Sequence, residues 1–344
     1  MAWKRLLKVA LGTSSLTSVL FFSGPLPAQT LPQGGNFAAG QGHIAQSGAD
    51  MTVTQSSARG VVNWQSFSIG AGNTVQFNNG SGATLNRVTG GDPSQIMGTL
   101  KATGSVYVAN PQGVVIGESG VVTTGGSFVA TTLNVPDAAF MAGGDTTFTG
   151  DSKASVVNLG KVSSTGGDVA LIARAVVNKG EIRAPKGTAA LASGAEVLLK
   201  ENGGGERVYV RAGTSAGSVE TSGLIESAQT ELKAAGGNVY ALAGNNGGVV
   251  RATGTENRGG RVWLSATGGN GAGGNGAGGN GAGGHVVTSG TVAATNADGS
   301  GGAVSVSAPD GSAMNPGTLS ASGTGAGTVA LAAPTVNNQA RNGA

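Results

Sequence analysis

NLGKVSSTGGDVALIA at 158–173 is followed by NKGEIRAPKGTAALA at 178–192, and the glycines of the two copies stand 20 residues apart, at Gly160 and Gly180 and again at Gly167 and Gly187. Looser copies follow as SGLIESA (222–228), GGNVYALA (236–243), GGRVWLSA (259–266), SGTVAAT (289–295), GGAVSVSA (301–308), NPGTLSAS (315–322) and GTVALAA (327–333). In each, a short alternating run meets a glycine corner and a second alternating run. Val169, Leu171 and Ala173 share one side of their run, as do Ile182 and Ala184 of theirs. Alternation with period two reads as strand rather than helix. A 20-residue unit of two or three such strands cannot bury its apolar side alone. Stacked units can, because each strand pairs with its equivalent in the next coil at ~4.8 Å. The expected fold is all-β: a parallel β-helix with small residues inside and glycines at corners that need φ > 0. A Gly/Ala-rich linker has no reason to keep Val and Leu in register.

Composition agrees. Glycine supplies 65 of 344 residues, yet charged residues are 11 % and hydrophobic ones 39 %, so the chain has material for a core and too few charges for a disordered segment. With aromatics at 4 %, that core is aliphatic. Cysteine is absent, which excludes disulfides, thiolate metal sites and cysteine nucleophiles, and suits an oxidising compartment. His43 and His285 are too few for a multi-histidine metal site and are expected to be incidental surface residues. No cofactor and no metal are expected.

Residues 1–28 read as a secretory signal: Lys4, Arg5 and Lys8, an apolar run from Val9 to Phe22, then Gly24, Pro25 and Pro27, with cleavage after Ala28. The apolar run is shorter than the ~20 residues that span a bilayer. The net charge of +3 resides in those three basic residues, so the rest of the chain is neutral and nucleic acid is not an expected partner. Residues 268–284, GGNGAGGNGAGGNGAGG, carry no strand former and read as a flexible loop between coils; without acidic ligands they do not suggest calcium.

Aromatic residues divide what remains. Phe37, Trp64, Phe67, Phe77, Tyr107, Phe128, Phe140 and Phe148 all precede residue 150, and only Tyr209, Tyr240 and Trp263 follow it. Residues 29–150 are therefore expected to cap the solenoid, with Trp64, Phe67 and Phe77 in the cap core and extra strands outside the helix, and residues 151–344 to form a β-helical shaft. A cap is needed because an open solenoid end exposes unpaired backbone.

The stretches VVNWQSFSIGAGNTVQFNN (61–79), LNRVTGGDPSQIMGTLKATGSVYVANPQGVVIG (85–117) and GGSFVATTLNV (125–135) together resemble the haemagglutination-activity domain, the two-partner-secretion domain at the start of filamentous-haemagglutinin-like exoproteins. The resemblance runs from about Gln33 to about Asp151. It implies a right-handed β-helix, and export from the periplasm of a Gram-negative bacterium through an outer-membrane barrel transporter with periplasmic POTRA domains. The product would be a secreted or cell-surface adhesin that meets a host or cell-surface receptor and touches membrane only in transit. The family's NPNG motif appears as Asn110-Pro111-Gln112-Gly113, with Gln in the third position; its NPNL motif is absent between Phe77 and Leu85.

Asn at the first, Pro at the second and Gly at the fourth position of 110–113 is turn chemistry. These four residues, with Asn86 and Arg87, are candidates either for transporter recognition or for nucleating the fold. Arg87 is equally suited to pair with Asp92 or to bond turn carbonyls. Polysaccharide-cleaving enzymes also use β-helices, but they need clustered carboxylates. Asp50, Asp92, Asp137, Asp145, Asp151 and Asp168 share no repeated offset, and no Ser-His-Asp order has sensible spacing, so no catalytic residue is assigned. The carboxyl end, APTVNNQARNGA, has no run of amphipathic membrane strands, so a passenger carrying its own barrel is not expected.

Overall fold

A computed structural model describes residues 31–201, 205–211, 217–242, 249–268 and 284–339. The signal segment 1–28 and residues 269–283 of the Gly/Asn-rich stretch lie outside the described residues. Strands in parallel register stack into a β-helix with three faces. Face one is a nine-stranded sheet running from Ser94–Ile96 through Ser155–Asn158 and Ala175–Asn178 to Thr335–Asn338. Face two runs from Asp50–Gln55 through Thr99–Ala102 and Lys161–Ser164 to Thr318–Ser320. Face three runs from Arg59–Trp64 through Ser105–Ala109 and Val169–Ala173 to Thr328–Ala332. Parallel strands in successive coils make this the β-helix that the sequence predicts, and right-handed crossovers are the sense that twisted strands favour.

The 20-residue step of the sequence is the register of the ladder. Asn158 lies beside Asn178, Lys161 beside Glu181 and Val169 beside Ala189. Val156, Val176, Val219, Val239 and Val286 line face one from inside, opposite Val162, Ile182, Ile225 and Val250 of face two and Leu171, Leu191, Leu232 and Leu264 of face three. Trp64, Phe67 and Phe77 belong to this same continuous core, at its first coils. The rings of Trp64 and Phe67 meet edge to face with centroids 5.5 Å apart.

The corner glycines have a different reason from the one expected. Gly160, Gly167, Gly180 and Gly187 are not at positive φ. They are glycine because the corners stack: a Cβ on Gly180 would lie 2.2 Å from the Gly160 carbonyl oxygen, and one on Gly187 would lie 2.0 Å from that of Gly167. Any side chain there would separate successive coils.

Two additions complete the architecture. At the amino-terminal end, Asn36–Ala39 pairs antiparallel with Arg59–Trp64, and Gly42–Ser47 pairs antiparallel with Asp50–Gln55, so the first coil is covered by strands running against the ladder. Outside face three lies a second layer, an antiparallel sheet of Thr146–Thr149, Glu196–Leu199 and Val208–Val210, with the short helix Asp137–Ala142. Two of its strands come from the stretch expected to be shaft, which lengthens one coil: Gly223 stacks on Gly180, 43 residues away. Phe140, Phe148, Val197 and Val208 of this layer pack on Leu85, Tyr107, Val129, Ala170 and Ile172, the outward side of face three. That face is buried on both sides, which is why VALIA and TAALAS read as nearly continuous apolar runs.

Candidate functional site

Asn110 ends the face-three strand Ser105–Ala109, and the chain must turn there to enter face one at Val114–Ile116. Its side chain makes the turn. The Oδ1 atom accepts the Gln112 amide at 2.9 Å, and its carbonyl accepts the Gly113 amide at 3.0 Å. Gly113 has φ of +119°, a conformation that favours glycine. The same residue clamps its neighbours. Asn110 Nδ2 donates to the Asp92 carbonyl and to Ser94 Oγ, both at 3.0 Å, in the coil before, and its amide donates to the Thr131 carbonyl at 2.9 Å in the coil after. Ser152 Oγ donates to the Pro111 carbonyl at 2.6 Å, and the Ser94 amide donates to the Gly113 carbonyl at 2.9 Å. Asn110 is fully buried, whereas Pro111 and Gln112 face solvent. The departure from the family motif thus falls on an exposed position whose backbone amide, not its side chain, makes the turn.

Asn86 and Arg87 are neighbours that point to opposite sides of face three. Asn86 points inward and is fully buried; its Oδ1 accepts the indole N–H of Trp64 at 3.0 Å, and its Nδ2 donates to the Tyr107 carbonyl at 3.2 Å. A candidate site residue and a candidate core residue are therefore one unit. Arg87 points outward and holds the start of the second layer. It donates to Asn134 Oδ1 at 3.0 Å and to the Val135 carbonyl at 2.7 Å, and pairs with Asp137 at 2.5 Å. Its ion partner is Asp137 rather than Asp92, and the expected carbonyl bond is present.

Several residues that hold these coils together gave no sequence signal. Asn79 and Gln55 converge on the Thr84 hydroxyl, at 3.1 and 2.8 Å, inside the corner between faces two and three. Arg59 donates to the Phe140 carbonyl, lies 5.1 Å from the Phe140 ring centroid and pairs with Glu201. Tyr107, sealed beneath the second layer, has its phenol pushed up to about 12 by burial. Glu231, on the outward side of face three, is fully buried under Val208–Val210. It accepts the Arg207 and Val208 amides and lies 3.1 Å from Lys233 Nζ. Burial raises its carboxyl above the ordinary range, an effect that Lys233 opposes. An amide ladder also runs along one corner: Asn158 donates to Asn178 at 2.8 Å and Asn178 to Thr221 at 3.1 Å. Further along, Thr288 donates to Asn315 at 2.6 Å and Asn315 to Asn338 at 2.8 Å. Recurrence of Asn at the 20-residue step was the signal that could have found it.

The histidines divide: His43 is exposed on a cap strand, whereas His285 is half-buried with Nδ1 2.8 Å from Ser312 Oγ in the next coil. Asp137 is taken by Arg87, and Asp168 accepts the Thr188 amide at 2.8 Å and faces Arg207 at 3.4 Å.

The profile of the TPS secretion domain family matches residues 28–279. A heme/hemopexin-binding protein of Haemophilus influenzae (strain ATCC 51907 / DSM 11121 / KW20 / Rd) is 33 % identical over 251 residues, which is 70 % of this chain and 28 % of that protein. A second heme/hemopexin-binding protein of Haemophilus influenzae is 37 % identical over 126 residues, 35 % of this chain and 14 % of that protein. The match therefore spans little more than a quarter of the length of the first of these curated relatives and about a seventh of the second. Among solved structures, the HMW1 secretion domain from Haemophilus influenzae superposes with a TM-score of 0.72 at 23 % identity, covering 87 % of this chain and 76 % of that one. At that identity the likeness speaks for the fold.

Proposed function

The chain belongs to the TPS secretion domain family, whose exoproteins cross the bacterial outer membrane to be secreted or held at the cell surface, and from that premise we propose that it directs an adhesin-type exoprotein to a POTRA-barrel transporter and then templates its folding outside the cell. The observation that carries this reading is the coil-on-coil parallel register from Asp50–Gln55 to Thr335–Asn338. A chain emerging amino-terminus first adds one coil at a time. Each new coil gains backbone hydrogen bonds and buries apolar side chains against its predecessor, so folding outside opposes backsliding. The periplasmic modules would read the extended chain by strand addition.

In this reading Asn110, Pro111, Gln112 and Gly113, with Asn86 and Arg87, act by nucleating the first coils. Three bonds from the buried Asn110 to two other coils support that role, as do the engagement of Asn86 with Trp64 and of Arg87 with the second layer. The exported product engages a host or cell-surface receptor and is not an enzyme. The relatives' names concern heme and hemopexin, and binding of either would reside in the exported product. Residues 29–150 are proposed as the segment that the transporter reads, with 151–344 as coils that follow.

The test pairs the chain with its cognate transporter in a Gram-negative host and measures protein in the medium. Deletion of residues 29–150 should abolish export; export that survives would sink the proposal. Asn110→Ala should lower export while leaving affinity of the denatured chain for the isolated periplasmic modules unchanged. A loss of that affinity would instead assign Asn110 to recognition.

A further inference from the structure

The second layer stops short of the last coils, and its end makes a step. Beyond Val208–Val210, no described strand of the second layer covers the outward side of face three on Arg261–Thr267 and Ala303–Ser307, whose outward residues are half-buried or exposed. An open groove of about 390 Å³ runs along this step, within the size range of small-ligand sites. Its wall is Tyr209 with Glu206, and its floor is Trp263, Ser265, Ser305 and Ser307.

We propose that this groove binds a short neutral glycan. The floor supplies a flat apolar surface and free hydroxyls together. Trp263 lies on the solvent side of its strand and, among the described residues, meets no other ring or cation, so its face is available to the C–H side of a sugar ring. Ser265 and Ser307 are register partners on adjacent coils, which sets them ~4.8 Å apart, within the span of one pyranose ring. The backbones of Ser265, Ser305 and Ser307 are held in the ladder, but their hydroxyls have no partner among the described residues. The wall is held in place: the ring of Tyr209 has Lys200 Nζ 4.9 Å and Lys233 Nζ 5.0 Å from its centroid. One-third-exposed Glu206 uses Oε2 on Lys233 and leaves Oε1 for a ligand hydroxyl.

Two features select this class over others. An anionic ligand would need a free cation in the lining, but among the described lining residues the cation is Lys233, whose ammonium is spent on Glu206, Glu231 and the Val208 carbonyl, and the Glu206 carboxylate beside it repels an anion; Lys200 sits on Tyr209 outside the lining. A peptide adding a strand would need the outer edge of Val208–Val210. There the Val208 amide is already held by Glu231 and the Val208 carbonyl by Lys233. What remains is ring face and hydroxyls, which is how neutral sugars are held.

The test uses the purified full chain without any transporter, so its outcome is independent of the export reading. Lactose, cellobiose and N,N′-diacetylchitobiose are titrated and followed by saturation-transfer NMR. At least one should saturate, with transfer concentrated on one sugar ring. Trp263→Ala should weaken binding about tenfold or more, and Ser307→Gln, which fills the floor, should abolish it, both with unchanged far-ultraviolet circular dichroism. Tyr240→Phe, on face one, should leave it intact. Absence of saturation with all three sugars overturns the proposal, as does equal binding by both groove variants or displacement of the bound sugar by an extended Ser/Thr-rich peptide.

Discussion

The coils before residue 200 and those after 217 share one ladder and are held together differently. The early coils contain Trp64, Phe67, Phe77 and Phe128, a buried polar corner built on Gln55, Asn79 and Thr84, and a second apolar layer over face three. The later coils have an interior of Val, Leu, Ile and Ala, and past Ala235 face three alternates simply between buried and solvent-facing residues. Large side chains and side-chain hydrogen bonds tie distant segments of the early coils; the later coils depend on their neighbours. In the proposed folding order the first coils form with nothing to build on, so they need interactions of their own. A coil that adds to a finished edge needs only the right pattern.

The sharpest way to break this contrast is a large-to-small change on each side. Trp64→Ala removes a fully buried indole and strands the Asn86 amide oxygen, so a loss of about 3–5 kcal/mol is expected. Leu264→Ala should cost about 2–5 kcal/mol, toward the low end because its neighbours are small. The informative readout is hydrogen exchange: Trp64→Ala should raise exchange across the coils up to residue 131, and Leu264→Ala only in adjacent strands. Equal spreading from both sites would erase the distinction.

A smaller effect separates the turn from the ladder. Asn110→Ala leaves the Asp92 carbonyl, the Ser94 hydroxyl and the Gln112 amide without their partner and should cost about 2–3 kcal/mol, whereas Asn178→Ala breaks one rung between Asn158 and Thr221 and should cost about 1–2 kcal/mol. Urea denaturation of both variants, followed by tryptophan fluorescence, checks the order.

The smallest effect concerns the seam where the second layer ends. Burial raises the Glu231 carboxyl, so the folded chain holds its proton more tightly than the unfolded chain does. Stability from this group is therefore present below the ordinary glutamate value of 4.5 and lost as pH rises through the raised folded value. Glu231→Gln should flatten that slope in thermal melts recorded from pH 4 upward; an unchanged slope would place the titration elsewhere.

Much of this was legible in the chain. Alternation told which of Val169, Ala170, Leu171 and Ile172 face inward, and the 20-residue step between Gly160 and Gly180 was the register itself. Turn chemistry identified 110–113. The partners of Arg87 were not legible, because Asn134, Val135 and Asp137 lie 47 to 50 positions away with no periodic relation to it. The glycine corners were identified for the wrong reason: sequence suggests conformational freedom, but only stacked backbones show that a Cβ would strike the carbonyl below.

By itself, then, the sequence determined the repeating strand, its inward side and its kinship, because these follow from local alternation and spacing. The tertiary structure decided where the second layer sits, how Glu231 and Lys233 close its edge, and that face three is buried on both sides before residue 235 and, among the described residues, on one side after it. Those outcomes depend on segments from different coils meeting in space, and contacts closed across long loops leave no period in the chain.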